Sequence, residues 1–184
     1  MQKSLGMIEV ISIPAGIKAG DAMLKAAPVG LVTAQAVCAG KYVAIVTGEV
    51  SAVRAAVKAG KEACGMKLID SLVIPHIAEQ VPAAINACTD ISVGTAGAIG
   101  VLETYSLCAS VIAADEASKA AEIKLIEVRL GRGLGGKSFI TMTGDVASVE
   151  ASVSAALALK ETQGLMSDSV VIPSPHPDIA KSLF

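Results

Sequence analysis

Apolar and polar positions alternate along the chain in two ways, one with the period of a strand and one with the period of a helix. The segment GMIEVIS, at residues 6–12, alternates as a half-buried strand does. The next segment, AGIKAGDAMLKAA, fits a helix and places Ile17, Leu24 and several alanines on one side of it. The runs GLVTAQAVC and KYVAIVTG follow with a very short turn between them. They predict a β-hairpin.

A second helix and a closing strand complete this pattern. In EVSAVRAAVKAG the residues Val50, Val53 and Val57 recur at helical spacing, and Glu49 favours a helix start through the helix dipole. The run KLIDSLVIP then predicts a final strand. The order is therefore βαββαβ. It is typical of a ferredoxin-like α+β fold with the helices on one face of an antiparallel sheet.

The whole pattern occurs twice. Gly6 in LGMIEVISI matches Gly100 in IGVLETYSL, at an offset of 94 residues. Further along, GKYVAIVTGEVSAV matches GKSFITMTGDVASV at an offset of 96, and DSLVIP matches DSVVIP at an offset of 98. A repeat at a fixed offset indicates tandem copies of one structural unit. We therefore predict two domains, residues 1–92 and 97–184, joined by a linker rich in Gly, Ser and Thr in TDISVGTAGA.

Composition adds an expectation about assembly. The 184 residues are 53% hydrophobic but only 2% aromatic, and the mean hydropathy is +0.63. The longest stretch without charge, residues 26–40, is interrupted by Pro28, Gly30 and Gln35, so no segment predicts a membrane span of about 20 apolar residues. The N-terminus also lacks the apolar region of a signal peptide. We expect a cytosolic protein, with no membrane partner, that uses its apolar excess in subunit interfaces.

Charge and cysteine content argue against nucleic-acid binding and against a metal-binding motif within one chain. The net charge is −2, and no basic stripe with interleaved aromatic residues occurs, so nucleic acid is not an expected partner. The cysteines form no C-x-x-C pair, so no zinc or iron–sulfur motif can be written within one chain. Cys38 lies in a tight turn between two apolar runs. We predict that the other cysteines pack in the core; they are Cys64, Cys88 and Cys108.

The segment GRGLGGKS, residues 131–138, matches the P-loop pattern of nucleotide-binding proteins in full. In such a site Lys137 binds the phosphates and Ser138 binds magnesium. That chemistry requires a helix to begin at the Lys-Ser end, whereas FITMTGD after the motif has the composition of a strand. A helix after Ser138 would support the nucleotide-binding alternative, and a strand would exclude it. We predict framework roles for Lys41 and Lys137, and for Glu9 and Glu103, because each pair recurs at matching positions.

Several motifs recur in order in both copies and resemble those of the shell domain of bacterial microcompartments, the BMC domain. They are the G-x-x-E-x-x-S opening, a lysine in the first helix, a G-K strand start, an acidic residue with valine at the second helix start, and the V-I-P ending. A chain with two copies is similar to the tandem-domain shell proteins, which form flat homotrimers. The resemblance implies a non-enzymatic shell protein in the cytoplasm, packed edge to edge with other shell proteins.

The resemblance also implies roles for individual residues. In tandem shell proteins the loop between the second and third strands lines a central opening, and here those loops are VCAGK and LGRGLGGK. The T-type subunits of propanediol-utilisation compartments carry a cysteine in this loop and hold one 4Fe–4S cluster on the trimer axis. The resemblance therefore implies that Cys38 is a metal ligand here and that Lys25 and Lys119 lie at the tile edge. The implied pore-loop residues are Ala39, Gly40, Arg132, Gly133, Leu134 and Gly135.

Such a cluster, ligated by thiolates, would transfer electrons across the shell. An encapsulated redox enzyme is a further partner that this function implies. Within the same family, the alternative is a cluster-free tile whose central pore passes a metabolite. The V-I-P ending of the second copy carries Ser174 where the family has a basic residue, which implies a change in edge packing.

Overall fold

The computed structural model describes residues 3–89 and 97–183, and each copy of the repeat forms a four-stranded antiparallel sheet with helices. In the first copy the strands follow the order β2-β3-β1-β4, with β1 and β3 in the centre. This is the ferredoxin-like βαββαβ order that the periodicity predicts. The elements are β1 (Ser4–Val10), α1 (Ile13–Ala26), β2 (Gly30–Val37), β3 (Lys41–Gly48), α2 (Val50–Cys64) and β4 (Leu68–Ile74).

The second copy repeats this arrangement in the order β6-β7-β5-β8. Its strands pair in equivalent registers, so that Glu9 lies opposite Asp70 in the first sheet and Glu103 lies opposite Asp168 in the second. A short helix, α3, precedes this copy, and another, α6, ends it. The elements are α3 (Gln80–Ile85), β5 (Ala98–Thr104), α4 (Leu107–Ala120), β6 (Lys124–Leu130), β7 (Ser138–Gly144), α5 (Val146–Ala158), β8 (Met166–Ile172) and α6 (Pro177–Lys181).

Contacts divide the chain into two compact units, Met1–Glu79 and Gln80–Phe184. Helix α3 packs on β6 within the second unit, although it follows β4 along the chain. Most of the predicted linker falls in residues 90–96, which lie outside the described residues. The domain limits 1–92 and 97–184 therefore stay a prediction. No helix in the described part of the chain is long and apolar enough to cross a membrane.

Small residues bring the helices of the first unit close to the sheet. A Cβ added at Gly6 would lie 2.6 Å from methyl groups of Val53 and Val57, so only glycine lets α2 approach β1 this closely. Helix α1 uses Gly16 against Tyr42 of β3 in the same way, whereas an added Cβ at Gly20 would meet Ala44 at an ordinary 3.5 Å. The core between helices and sheet consists of Ile8, Val10, Ala19, Met23, Ala44, Val46, Val53, Ala56, Val57 and Cys64.

The buried side of α1 differs from the apolar side that the periodicity suggests. Ile17 and Leu24 are 55% and 41% exposed in the single chain. The buried positions of this helix are Gly16, Ala19, Gly20 and Met23. Close approach to the sheet favours small side chains, so the larger aliphatic residues face away from it.

Candidate functional site: the two hairpin loops

The first hairpin loop is a single turn that presents Cys38. The turn, Cys38–Gly40, joins β2 to β3, and the thiol-bearing residue is half-buried while Ala39 and Gly40 are exposed. Ala39 has φ +63° and ψ +28°, and Gly40 has φ +71°. A left-handed conformation at alanine costs about 1 kcal/mol, so the flanking strands must hold the turn in this shape. The prediction of a short hairpin turn at this cysteine is confirmed.

An ion pair supports the base of this loop. The Lys41 Nζ donates to Glu9 Oε1 at 2.7 Å, and Glu9 is only 2% exposed. A buried carboxylate needs such a partner, because desolvation without one is expensive. Strand β1 thereby holds the first residue after the turn. This pairing is the framework role predicted for both residues.

The second hairpin loop, residues 131–137, is longer and rich in glycine. Four of its glycines have positive φ, and the Leu134 carbonyl accepts a hydrogen bond from the Lys137 backbone at 3.1 Å. Arg132, Gly133 and Gly135 are exposed, whereas Leu134 is half-buried. A side chain at Gly133 or Gly135 would meet no atom within 4 Å, so these glycines are needed for their backbone conformation rather than for space.

Lys137 is held by the protein and is not arranged as a phosphate ligand. Its Nζ donates to Glu103 Oε2 at 2.7 Å, and Ser167 Oγ donates to the same oxygen at 3.0 Å. The hydrogen bond from Lys137, followed by that from Ser167, holds the pKa of Glu103 below its usual value of 4.5. The same bond raises the pKa of Lys137 above 10.5. This pair is the counterpart of Lys41 and Glu9 in the first unit.

Strand β7 begins at Ser138, directly after the glycine-rich loop. A P-loop site needs the N-terminus of a helix at this point, because helix N–H groups bind the phosphates. Ser138 instead pairs with Thr104 in the sheet, and its hydroxyl is buried. The nucleotide-binding alternative for residues 131–138 is therefore excluded.

The four cysteines are all thiols, and they lie in different surroundings. Cys64 and Cys108 are buried as predicted, and burial raises the pKa of the Cys64 thiol. The prediction that Cys88 packs in the core is wrong, because this residue is exposed. Cys88 follows the end of α3, where Ala87 has φ +52°, and its thiol donates to the Asn86 carbonyl at 3.3 Å. The residue lies beyond the end of the helix and outside its buried positions.

Metal ligands do not cluster in the described part of one chain. In residues 3–89 and 97–183, no three side chains of His, Cys, Asp or Glu lie close enough together to hold a metal ion. Each chain contributes one half-buried thiol, Cys38, at the first hairpin loop. A metal group at this loop would need thiols from several copies.

The two candidate edge lysines occupy equivalent places near the ends of α1 and α4. Lys25 donates to Asp21 at 2.6 Å, and Lys119 donates to Asp115 at 2.5 Å, each across one helical turn. The first pair is well exposed, whereas the Asp115 side chain is largely buried. The role of these lysines between neighbouring tiles stays a prediction.

Comparison with known proteins places this arrangement in one family. The sequence profile of the BMC domain matches residues 4–77 and 98–175. The bacterial microcompartment shell protein PduT of Citrobacter freundii is 38% identical over 183 residues, which cover 100% of this chain and 98% of that protein. The carboxysome assembly protein CcmO of Synechococcus elongatus is 30% identical over 191 residues, covering 98% of this chain and 68% of that protein.

Solved structures agree with the sequence matches. A microcompartment protein from Desulfitobacterium hafniense superposes with a TM-score of 0.92 at 46% identity, covering 97% of this chain and 98% of the other. A fused permuted hexameric shell protein of the RMM microcompartment has a TM-score of 0.61 at 23% identity, covering 84% of this chain and 81% of the other. This second match supports the fold alone.

Proposed function

Because the chain belongs to the BMC-domain family of bacterial microcompartment shell proteins, we propose that three copies form a flat tile that holds one 4Fe–4S cluster at its threefold axis through Cys38. Family membership makes the protein a structural shell protein and not an enzyme. The trimer, the cluster and its function in electron transfer are the parts that we propose.

The observation that carries the proposal is the position of Cys38. It is a half-buried thiol on a tight turn, next to two residues without bulky side chains, Ala39 and Gly40. The equivalent loop of the second unit has glycines and an exposed Arg132 but no cysteine. A framework residue would be expected in both copies, as with the Glu9–Lys41 pair and its counterpart, whereas Cys38 occurs once per chain.

The chemistry of this donor fits an iron–sulfur cluster shared among copies. Thiolates are the usual ligands of such clusters, and three copies of Cys38 leave one iron for another ligand. Backbone N–H groups near a thiolate sulfur tune the potential of a bound cluster. When bound, the cluster would supply one-electron transfer. Cys38 would hold it, and the turn would keep bulky side chains away from its sulfur.

This function also defines the expected partners. Other shell proteins pack against the tile edges, and an encapsulated redox enzyme supplies or takes the electrons. The relative PduT is by name a shell protein of a bacterial microcompartment, which supports the same location for this chain.

Anaerobic purification of three proteins tests the cluster: the wild type, Cys38→Ser, and Cys88→Ser as a matched control. The control removes the other accessible thiol, which lies on a turn after α3. We expect broad absorption near roughly 400 nm and about four irons per trimer in the wild type and in Cys88→Ser. Cys38→Ser should lose both while its mass remains that of a trimer.

An iron-free, colourless wild-type trimer after reconstitution would contradict the cluster. The function would then be a tile with a central pore for a metabolite. The exposed Arg132 in the second loop favours an anionic metabolite in that case. An Arg132→Ala variant would then be compared with the wild type for anion passage.

A further inference from the structure

Helix α2 carries a row of positive charges beside strand β4 of the first unit. Arg54, Lys58 and Lys61 follow one another at spacings of four and three residues, so they share one face of the helix and extend along about 10 Å of it. All three are exposed, and 80% of the Lys58 side chain is accessible to solvent. The row lines a groove of about 370 Å³ on the surface of this unit.

The floor of this groove is apolar. It is formed by Val57 of α2, which is 5% exposed, and by the half-buried Val73 of β4, and both belong to the core of the unit or pack against it. Glu62 also lines the groove, with its carboxylate 4.0 Å from the Lys58 Nζ. The hydrocarbon stems of lysine and arginine extend such a floor while their charged ends reach solvent. The basic groove, as we call it, therefore combines an apolar surface with three cations.

The repeat separates the charges of the basic groove from its floor. At the offset of 96 residues Val57 corresponds to Val153, and at the offset of 98 Val73 corresponds to Val171. The valines therefore belong to the framework that both units share. The charges do not, because helix α5 contains no lysine or arginine. The counterparts of Arg54, Lys58 and Lys61 are Glu150, Ser154 and Leu157.

The row of charges does not serve the stability of its own helix. Like charges one helical turn apart repel each other, and this holds for Arg54 with Lys58 and for Lys58 with Lys61. The helix dipole favours Lys61, which lies in the last turn, but its effect does not extend to the other two. A feature that occurs in one copy only, and that its helix does not need, indicates a contact outside the chain.

We propose that the basic groove binds an acidic, amphipathic helix of a partner protein. Carboxylates at positions i, i+4 and i+7 of such a helix repeat the spacing of the row and can pair with its cations. A small apolar side chain on the same face would contact Val57 and Val73. The positive groove is opposite in sign to the chain's net charge of −2, so charge guides the partner to this place and sets its register.

The difference between the units sets the number of partner helices. Each chain has the row of charges on α2 but not on α5, so it binds one partner helix. A trimeric tile would bind three of them, although it contains six copies of the fold. The number per tile rests on the proposed trimer, whereas the number per chain does not.

Fluorescence anisotropy with a labelled synthetic peptide tests the proposal. The peptide has about 20 residues, which is long enough to form a helix. It carries glutamates at the i, i+4 and i+7 spacing, with alanine and leucine on the same face, and the control peptide has glutamine at each glutamate. We expect one acidic peptide per chain, bound at least about tenfold more tightly than the control peptide, with an affinity that falls as salt is added.

Two variants with the same change in charge locate the site. Arg54→Glu introduces the residue type that α5 has at this place and should weaken binding of the acidic peptide at least about tenfold, because an attraction becomes a repulsion. Lys18→Glu, at an exposed position of α1, is the matched control and should bind as the wild type does. Both positions are exposed, so the fold should be kept, and circular dichroism checks this.

A transfer of the row gives the second measurement. Glu150→Arg combined with Ser154→Lys and Leu157→Lys places the three cations on α5, beside valines that are already present, and all three positions are exposed. This variant should bind two acidic peptides per chain. One peptide per chain, as in the wild type, would show that the row and the valines together do not make the site.

The remaining outcomes each contradict a stated part of the proposal. Equal affinities for the two peptides, or equal effects of Arg54→Glu and Lys18→Glu, would overturn the basic groove as a docking site. Displacement of the peptide by sodium pyrophosphate at matched ionic strength would indicate a site for small anions and overturn the partner helix. A smaller oligomer in Arg54→Glu would indicate an interface between copies of this chain and overturn it as well.

The number of bound peptides also separates this proposal from the proposed function. A wild type that is monomeric or free of iron, but binds one acidic peptide per chain, would overturn the trimer or the cluster and keep the basic groove. A trimer with its iron that binds no acidic peptide would do the reverse.

Discussion

Single residues at matching positions of the two copies share a role but not an environment. The pairs Lys41–Glu9 and Lys137–Glu103 both join a lysine at the end of a hairpin loop to a central strand, β1 or β5. The carboxylate is 2% exposed in the first pair and 31% exposed in the second. The repeat in the sequence predicts the framework role, because the same residue types recur at the same offset. It does not predict the difference in exposure, which depends on what covers each sheet.

The second pair makes stability depend on pH. Because the pKa of Glu103 is lower in the folded chain than in the unfolded one, the pair stabilises the fold above the usual pKa of 4.5. This contribution is lost as the pH falls through the lower folded value. Urea unfolding should therefore show Glu103→Gln to be less stable than the wild type at pH 7, with a difference that shrinks at pH 4 and below.

Glu150→Gln, at an exposed position of α5, is the control for this measurement. It should change the unfolding free energy by less than about 0.5 kcal/mol at every pH. A difference between wild type and Glu103→Gln that stays constant from pH 7 to pH 3 would refute the linkage.

At the scale of elements, small residues decide how closely a helix sits on its sheet. Helix α1 contacts β3 through Gly16, whose added Cβ would lie 2.4 Å from the Tyr42 Cβ. In the second copy the corresponding residues are Ser110 and Ser138, so a glycine–tyrosine pair is replaced by two serines with buried hydroxyls. The periodicity predicts both helices correctly. It does not reveal that both residues of this helix–strand contact differ between the two copies.

Two substitutions in α1 should therefore have opposite effects. Gly16→Ala should lower the free energy of unfolding by about 1–3 kcal/mol, because its Cβ overlaps Tyr42. Gly20→Ala meets its nearest atom, the Ala44 Cβ, at an ordinary 3.5 Å, and should raise it by about 0.5–1 kcal/mol through helix propensity. Urea denaturation of both variants measures the difference. Equal effects of the two changes would show that the contact with Tyr42 does not limit the approach of the helix.

For the whole molecule, the tandem copies and the family make it a structural shell protein, and we predict that surface lysines decide how neighbouring tiles meet. Lys25 is 75% exposed and pairs with Asp21 on the neighbouring turn of its own helix, so it is accessible to another tile. Lys119 is less exposed, and its partner Asp115 is largely buried. The two lysines occupy matching positions in the sequence, but their surroundings in the structure differ.

The lysine variants should affect two properties differently: the assembly of tiles into sheets and the stability of the single chain. Lys25→Ala should prevent extended sheets in electron micrographs while the unfolding free energy changes by no more than about 0.5 kcal/mol, since exposed ion pairs contribute little. Lys119→Ala should lower stability more, because the buried Asp115 loses an ammonium partner. Lys58→Ala, on the exposed side of α2, is the control and should form sheets as the wild type does. Normal sheets from Lys25→Ala would contradict the edge role.

The order of strands and helices, the duplication, the hairpin turn at Cys38 and the family can all be inferred from the sequence. These features are local or repeated, so periodicity, turn residues and matching motifs reveal them. The strand after Ser138 belongs with them, because FITMTGD has the composition of a strand whatever precedes it.

Three other features become known from the folded chain: which side of α1 is buried, that Cys88 is exposed, and that α3 packs on β6. Gln80 and Leu125 lie 45 residues apart, and Lys137 and Glu103 lie 34 apart. Partners at such separations are chosen by how sheets and helices pack, which no local pattern records. Helix α3 has only six residues, too few for a periodic signal, and its stability comes from the strand edge that it covers.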